Sequence, residues 1–231
     1  MATLTQGLYP FEVVLLIGGI ALFVTLLVGL IVGLVRGKIP KILVPLFVVA
    51  IVMIAYPGVQ SFKYGELTVT LNNQLQQVLA NPTNMTYRNG LAQVASQVAS
   101  RPTANPAAIA ALANAQYALG DEAAAQVNLN KVLRLDPTLP SAVNLRNKIA
   151  SVEKLNQLTG TLQRNPADNA AARQLEEVAS QVSQMSLANP KAIATLSTAQ
   201  KLCGNQEAAQ KSAQKAMAIN PRAFQLQPAK P

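Results

Sequence analysis

Two apolar stretches in the first sixty residues constrain the fold of this chain more than any other feature. Glu12 is the one charged residue in the stretch 11–35, and the stretch 42–59 has no charged residue. A helix over the first stretch is about 37 Å long, enough to cross a hydrocarbon core of about 30 Å with some tilt. The second stretch is close to the lower limit for a crossing. We expect a transmembrane helical hairpin over residues 1–59, with spans at about 11–35 and 42–59.

Other interpretations of the two stretches stay open. Pro57-Gly58 is expected to end or kink the second helix, and a helix of this length also fits a soluble core helix or a re-entrant segment. A cleaved signal peptide is the alternative for the first stretch. It fits poorly, because no basic residue precedes Phe11 and the stretch is longer than the apolar part of such a peptide. We expect the first stretch to be retained.

The turn between the stretches predicts the orientation in the membrane. It contains Arg36, Lys38 and Lys41, whereas residues 1–10 contain no Lys or Arg. Cytoplasmic loops are enriched in these cations, so the turn is expected in the cytoplasm. Both termini and residues 60–231 then lie in the periplasm, as in a two-span protein of a bacterial inner membrane. Alternatively, the cations bind anionic headgroups on either face.

Three glycines in the first span are spaced for close packing of helices. Gly29, Gly33 and Gly37 follow one another at intervals of four residues, which places them along one helix face. Small residues at this spacing allow another helix to approach closely. The second helix of the same hairpin is the simplest partner, and a helix of another subunit is the alternative.

Residues 60–231 differ from the first sixty and match themselves at an offset of 84 residues, without a gap. We interpret the match as a tandem duplication with units at 60–140 and 141–221, followed by a C-terminal tail at 222–231. The matching segments are Asn81-Pro82 with Asn165-Pro166, Val94–Val98 with Val178–Val182, Ala104–Pro106 with Ala188–Pro190, and Gly120 with Gly204.

Each unit is predicted to be helical, because Asn-Pro steps favour helix starts and Gly120 and Gly204 separate pairs of apolar-periodic stretches. The best-matched positions are in the first copy: Ile109, Leu112, Gly120-Asp121, Ala125, Leu129 and Asp136-Pro137. At these positions the chain resembles the tetratricopeptide repeat, in the second copy less closely than in the first. The resemblance implies an all-α fold in which about eight helices form a short right-handed solenoid after the hairpin.

The same resemblance implies a concave groove that binds a protein partner. By position in the repeat, its candidate lining residues are Asn114, Tyr117, Lys191, Thr198 and Lys201. The two lysines could meet an acidic peptide or could be solvated helix cations. Tyr117 could anchor a partner or could pack against a neighbouring helix.

Composition argues against several kinds of chemistry. The chain has no His and one Cys, so imidazole catalysis and Cys/His metal sites are excluded. No pattern indicates catalytic residues, a cofactor or a small-molecule substrate, and Cys203 is expected to be a structural thiol. Residues 60–231 contain 16 Lys and Arg against 9 Asp and Glu. These cations are scattered rather than clustered with aromatic residues, so nucleic-acid binding is not expected.

These features predict a non-enzymatic membrane protein. The first hypothesis is a membrane-anchored scaffold or adaptor whose repeat domain binds a protein partner in the periplasm during assembly of a membrane complex. The alternative is a stoichiometric accessory subunit, packed permanently into a respiratory, photosynthetic or transport complex through its spans. Removal of residues 90–231 distinguishes the two, because it should abolish partner binding only in the first case.

Overall fold

The protein is all-helical, as the sequence predicts. The computed structural model describes residues 7–36 and 42–224, and over those residues the chain forms nine α-helices and no strand. The all-α fold class is therefore confirmed. The helices are α1 (Pro10–Val35), α2 (Leu43–Ala80), α3 (Met85–Ala99), α4 (Pro106–Leu119), α5 (Glu122–Leu135), α6 (Pro140–Arg164), α7 (Asn169–Ser183), α8 (Pro190–Leu202) and α9 (Gln206–Ile219).

The helices belong to two compact units. The first unit comprises Met1–Val69 with Gln97–Asn105, and the second comprises Thr70–Ser96 with Pro106–Pro231. The division falls inside α2 rather than at residue 59. Both segments that match at an offset of 84 residues contribute most of their residues to the second unit.

Helices α1 and α2 are long and apolar enough to cross a membrane. In the most apolar 18-residue stretch of each helix, only 11% of the stretch in α1 and 17% of that in α2 is buried inside the protein. A core helix of a soluble protein has most of its apolar surface covered by its own chain. The exposed side chains of these two helices include Phe11, Val14, Ile51 and Val52.

Helices α1 and α2 pack tightly against each other at Gly19. A methyl group on this glycine would lie 2.9 Å from the Met53 Cβ and 3.2 Å from the Ile54 backbone nitrogen. The Phe23 and Phe47 rings pack edge to face nearby, with their centroids 5.5 Å apart. Only glycine fits this crossing, so Gly19 fixes how the two helices pack.

The glycines predicted to form the seam of α1 lie nearer its C-terminal end. A methyl group on Gly29 would lie 3.8 Å from Leu43 Cδ2, which is ordinary van der Waals contact, and Gly33 is buried. Gly37 lies outside the described residues. At Gly29 this face therefore lies beside α2, although less tightly than at Gly19, and its role as a packing seam stays a prediction.

Helix α2 continues through Pro57-Gly58, where the sequence predicts an end or a kink. Pro57 lies inside the helix, which runs on to Ala80. A proline in a helix removes one backbone hydrogen bond. The helix nevertheless continues, because Leu71, Leu75 and Val78 form a helical stripe that is buried in the second unit. Burial of this stripe favours the helical conformation of the segment after Pro57.

Apolar clusters hold the helix pairs of the second unit together. One cluster contains Ile109, Tyr117, Leu129 and Leu145 from α4, α5 and α6. Another joins α6, α7, α8 and α9 through side chains that include Leu155, Leu175, Val182, Ile193 and Ile219. Helix α6 contributes to both clusters, so it connects the α4–α5 pair to the α8–α9 pair.

The α4–α5 and α8–α9 pairs share several local interactions at positions 84 residues apart. Gly120 and Gly204 have φ angles of +97° and +80°, a conformation that favours glycine in the turn between helices. The side chains of Asp121 and Asn205 accept hydrogen bonds from the third residue after each of them, which caps α5 and α9. One side-chain hydrogen bond of 2.8 Å also joins the helices of each pair, between Asn128 and Gln116 and between Ser212 and Gln200.

A buried arginine joins three segments of the second unit. The guanidinium group of Arg88 on α3 is 6% exposed and donates to the carbonyls of Ala118 and Leu119 at 3.3 Å and of Ala188 at 3.0 Å. Ala118 and Leu119 end α4, where unpaired carbonyls favour a cation. Arg88 therefore connects the end of α4 to the segment before α8.

Candidate functional site

The second unit contains an open cleft between α5, α6 and α8. Its volume is about 310 Å³, within the range of small ligand sites in proteins. Ile149 and Val152 on α6 form an apolar wall, and Tyr117 at the end of α4 contributes to the floor. Charged groups line the mouth, with Glu122 on α5, Glu153 on α6 and Lys191 on α8.

Tyr117 is the most unusual residue of the cleft. Its side chain is 6% exposed, and its buried hydroxyl has no hydrogen-bond partner within the described part of the chain. Burial raises the pKa of Tyr117, and the carboxylates of Glu122 and Glu153 raise it further. The hydroxyl is therefore protonated at neutral pH and is a hydrogen-bond donor that lacks an acceptor.

Glu122 is held firmly at the N-terminus of α8. Its carboxylate accepts from Lys191 Nζ at 2.9 Å and from Asn189 Nδ2 at 3.1 Å. The side-chain oxygen of Asn189 caps α8 by accepting from two backbone N–H groups, those of Lys191 and Ala192. The α4–α5 turn also lies against this helix start, because a methyl group on Gly120 would be 3.4 Å from Pro190 Cδ. These contacts fix one side of the cleft.

Glu153 differs from Glu122 because it has no ion-pair partner in the described part of the chain. Its side chain is exposed on α6. Gln126 and Asn156 supply amide groups on either side of the cleft. The cleft therefore combines an apolar wall, the Glu153 carboxylate and groups that can hydrogen-bond to a peptide backbone.

The structure brings two of the five predicted groove residues to this cleft, namely Tyr117 and Lys191. Asn114 is half-buried, and its side chain donates to the Ala110 carbonyl at 2.9 Å. Thr198 donates to the carbonyl of Ala194 within its own helix, and Lys201 is exposed near the end of α8. These last three residues do not line the cleft.

Sequence reasoning missed the contribution of α6. Ile149, Val152, Glu153 and Asn156 lie in the segment between the two best-matched helix pairs, where the resemblance to a known repeat is weakest. Ile149 and Val152 are three residues apart and share a helix face, which was the available signal. The partner helices that turn this face into a cleft wall are distant in sequence.

The first unit contains a second group of polar residues that the sequence did not indicate. The carboxylate of Glu12 is 1% exposed, accepts from the Tyr9 backbone N–H at 2.8 Å and lies 3.6 Å from the Arg101 guanidinium. Arg101 also donates to the Gly7 carbonyl at 3.0 Å and to Gln60 Oε1 at 2.9 Å. We call these five residues the Glu12–Arg101 cluster. It joins the start of α1 to α2 and to the segment after α3.

The chain enters this cluster through a conformation that requires glycine. Gly7 has a φ angle of +70°, and a methyl group on it would overlap Cγ of the buried Tyr64 ring. The Tyr9 hydroxyl donates to the Ser100 carbonyl at 2.9 Å, and the Arg101 guanidinium lies 5.4 Å from the centre of the Tyr9 ring. The start of α1 is therefore fixed by contacts on several sides.

The residues predicted to determine topology are described only in part. Arg36 is exposed at the C-terminal end of α1. Lys38 and Lys41 lie outside the described residues. The predicted orientation therefore stays a prediction.

Cys203 lies at the end of α8 and is half-buried. Burial raises the pKa of its thiol, and the carboxylate of Glu176 raises it further. Because the thiolate is the reactive form, these surroundings lower the reactivity of the thiol. Within the described residues, no three side chains of the Cys, Asp and Glu types form a group that could hold a metal ion.

The chain matches no known family model, no curated protein and no solved structure. The resemblance to tetratricopeptide repeats therefore depends on the residues named above. Function is inferred from the geometry of this chain alone.

Proposed function

We propose that this protein is a membrane-anchored scaffold that binds a protein partner in the periplasm and takes part in assembly of a membrane complex. The cleft of the second unit is the observation that supports binding most directly. It contains an apolar wall, the Glu153 carboxylate and the Tyr117 hydroxyl, which has no partner among the described residues. Buried polar groups without a partner are rare in folded proteins and often belong to functional sites.

The anchor in this proposal is the hairpin of α1 and α2. Both helices are long enough to cross a bilayer, and most of their apolar surface is not covered by the protein itself. Lipid would cover that surface. Arg36, Lys38 and Lys41 then favour a cytoplasmic turn, with the helices that follow on the periplasmic side of an inner membrane.

We further propose that the second unit is a duplicated, tetratricopeptide-like solenoid. Support comes from the capping residues, positive-φ glycines and inter-helix hydrogen bonds that recur 84 positions apart in α4–α5 and α8–α9. Ala125 and Ala209 are buried where the helices of each pair cross, as the small residue of that repeat would be. Proteins of this kind present binding surfaces to other proteins.

The proposed activity is binding and not catalysis. Of the two carboxylates at the cleft, Glu122 is already paired with Lys191 and Asn189. The proposal includes no cofactor, metal ion, nucleic acid or small-molecule substrate. The lipid bilayer and one or more subunits of a membrane complex are the partners.

The test is purification of the full-length protein from membranes in a mild detergent, followed by native mass spectrometry and identification of its companions. A scaffold predicts a small particle with substoichiometric companions that dissociate at high salt. A large complex of fixed composition would instead identify a stoichiometric accessory subunit. Recovery of the protein in the soluble fraction would contradict both forms of the hypothesis.

A further inference from the structure

We propose that the cleft binds an extended segment of the partner protein in which an aliphatic side chain lies beside a lysine or arginine. This inference rests on the proposed function, because it assigns a site and a ligand chemistry to that partner. It differs from the groove implied by repeat resemblance, since α6 forms a whole wall of the cleft. It also differs in charge, because that groove suggested an acidic ligand.

The apolar wall of the cleft favours an aliphatic side chain in the bound segment. Ile149 and Val152 present adjacent apolar surfaces, and the Tyr117 ring lies beneath them. The volume of about 310 Å³ corresponds to roughly ten water molecules at about 30 Å³ each. An aliphatic side chain that replaces this water removes apolar surface from solvent, which favours binding.

The Tyr117 hydroxyl selects a hydrogen-bond acceptor. It is a donor without a partner among the described residues, and although Tyr117 lines the cleft, the hydroxyl oxygen itself is closed to solvent. A backbone carbonyl of a bound peptide would satisfy it when the cleft opens around Tyr117 on binding, and this hydrogen bond is gained only in the complex. Gln126 and Asn156 at the sides of the cleft can pair with neighbouring peptide groups.

The charged groups of the cleft favour a lysine or arginine beside the aliphatic side chain of the bound segment. Lys191 is neutralised by Glu122 at 2.9 Å, so it is not available to an acidic ligand. Glu153, which also lines the cleft, forms no ion pair with a residue of 7–36 or 42–224. The mouth is therefore acidic within a region, residues 60–231, that is otherwise rich in Lys and Arg. A peptide cation would complement Glu153, whereas a peptide carboxylate would be repelled.

The experiment uses full-length protein in lipid nanodiscs and an immobilised array of random nonapeptides. We expect selected peptides to contain Leu, Ile, Val or Met within two residues of Lys or Arg. Selected peptides are then resynthesised with one tryptophan and titrated by fluorescence, because the protein itself contains no tryptophan. Tyr117→Phe should weaken binding by about fivefold, as expected for one lost hydrogen bond.

Two further variants test the charge. Glu153→Gln should weaken binding by about threefold and remove the preference for a basic neighbour, consistent with one exposed charge pair. Lys201→Gln is the matched control, because Lys201 is exposed on α8 and does not line the cleft. It should bind as the unmodified protein does. Circular dichroism confirms that each variant is folded.

Selection of acidic peptides, no selection, or affinities that neither Tyr117→Phe nor Glu153→Gln changes would overturn the inference. The proposed function is tested separately by native mass spectrometry of the Tyr117→Phe/Glu153→Gln double variant. If its companions remain bound at wild-type levels, the scaffold function holds and the cleft is not the site. If the unmodified protein has no companions, the proposed function itself fails.

Discussion

At the scale of single residues, we expect the Tyr117 hydroxyl to contribute to partner binding but not to the stability of the fold. This hydroxyl is buried without a partner in the described part of the chain, and such a group costs about 1–3 kcal/mol. We expect Tyr117→Phe to leave the free energy of unfolding unchanged or to raise it by up to about 1 kcal/mol. Thermal and chemical denaturation followed by circular dichroism measure this effect.

Tyr9→Phe is the matched control for this prediction. The Tyr9 hydroxyl donates to the Ser100 carbonyl at 2.9 Å, so its removal should lower stability by about 1 kcal/mol. A clear loss of stability in Tyr117→Phe, equal to that in Tyr9→Phe, would mean that the Tyr117 hydroxyl has a structural partner.

The Glu12–Arg101 pair is expected to stabilise the first unit as a coupled interaction. Glu12 is almost fully buried and Arg101 is its nearby cation, so loss of either partner leaves the other poorly compensated. Glu12→Gln and Arg101→Gln should each lower the free energy of unfolding by about 2 kcal/mol. The double variant should lose less than the sum of the two, as a double-mutant cycle in nanodiscs would show. Additive losses would contradict a direct interaction.

The reactivity of Cys203 should depend on pH in a defined direction. Its pKa is raised above the ordinary value by burial and by the Glu176 carboxylate, so the folded protein has less thiolate at neutral pH. We expect maleimide to label the folded protein more slowly than the denatured chain near pH 7.5. The two rates should converge as the pH rises through the folded pKa, because both forms are then thiolates. Equal rates at neutral pH would contradict the raised pKa.

At the scale of helices and turns, Gly120 and Gly160 form a natural comparison. Gly120 has a φ angle of +97° and packs near Pro190, whereas Gly160 lies within α6 with no atom within 4 Å of an added methyl group. Gly120→Ala should destabilise the protein by about 1–3 kcal/mol. Gly160→Ala should stabilise it by about 0.5–1 kcal/mol, because alanine favours helix. Chemical denaturation of both variants checks the opposite signs, and equal effects would contradict the turn conformation.

The helices were predictable because their signals are local. Asn-Pro steps, the two turn glycines and the apolar periodicity predict where α4, α5, α8 and α9 begin and end. The end of α2 was not predictable from Pro57, because the stripe that extends the helix is stabilised by residues distant in sequence. Local propensity is a weak guide where tertiary packing opposes it.

The sites were less predictable, because they depend on contacts between distant segments. Tyr117 and Lys191 were found by their places in a repeat, but Glu153 became visible only when α6 packed beside α5 and α8. Arg101 meets Glu12 across most of the first hundred residues of the chain. Gly19 likewise differs from Gly29 only because the Met53 and Ile54 side chains lie opposite it.

At the scale of the whole molecule, we propose that one chain contains both a membrane anchor and a partner-binding unit. The apolar helices α1 and α2 would hold the protein in the bilayer, and the helix pairs α4–α9 would form the partner-binding unit. Removal of residues 90–231 keeps α1 and α2 but also removes Arg101, which contacts Glu12 in the first unit. Retention of the shortened chain in the membrane is therefore measured together with its companions, so that loss of the anchor and loss of the binding unit are distinguished.

The most direct measurement compares the companions recovered with the full-length chain and with a chain that lacks residues 90–231. Both are extracted from washed membranes in a mild detergent, and their companions are quantified by mass spectrometry. We expect the shortened chain to stay in the membrane fraction and to lose its companions. A shortened chain that remains in the membrane and keeps the same companions would contradict the scaffold hypothesis, because the spans would then make the essential contact.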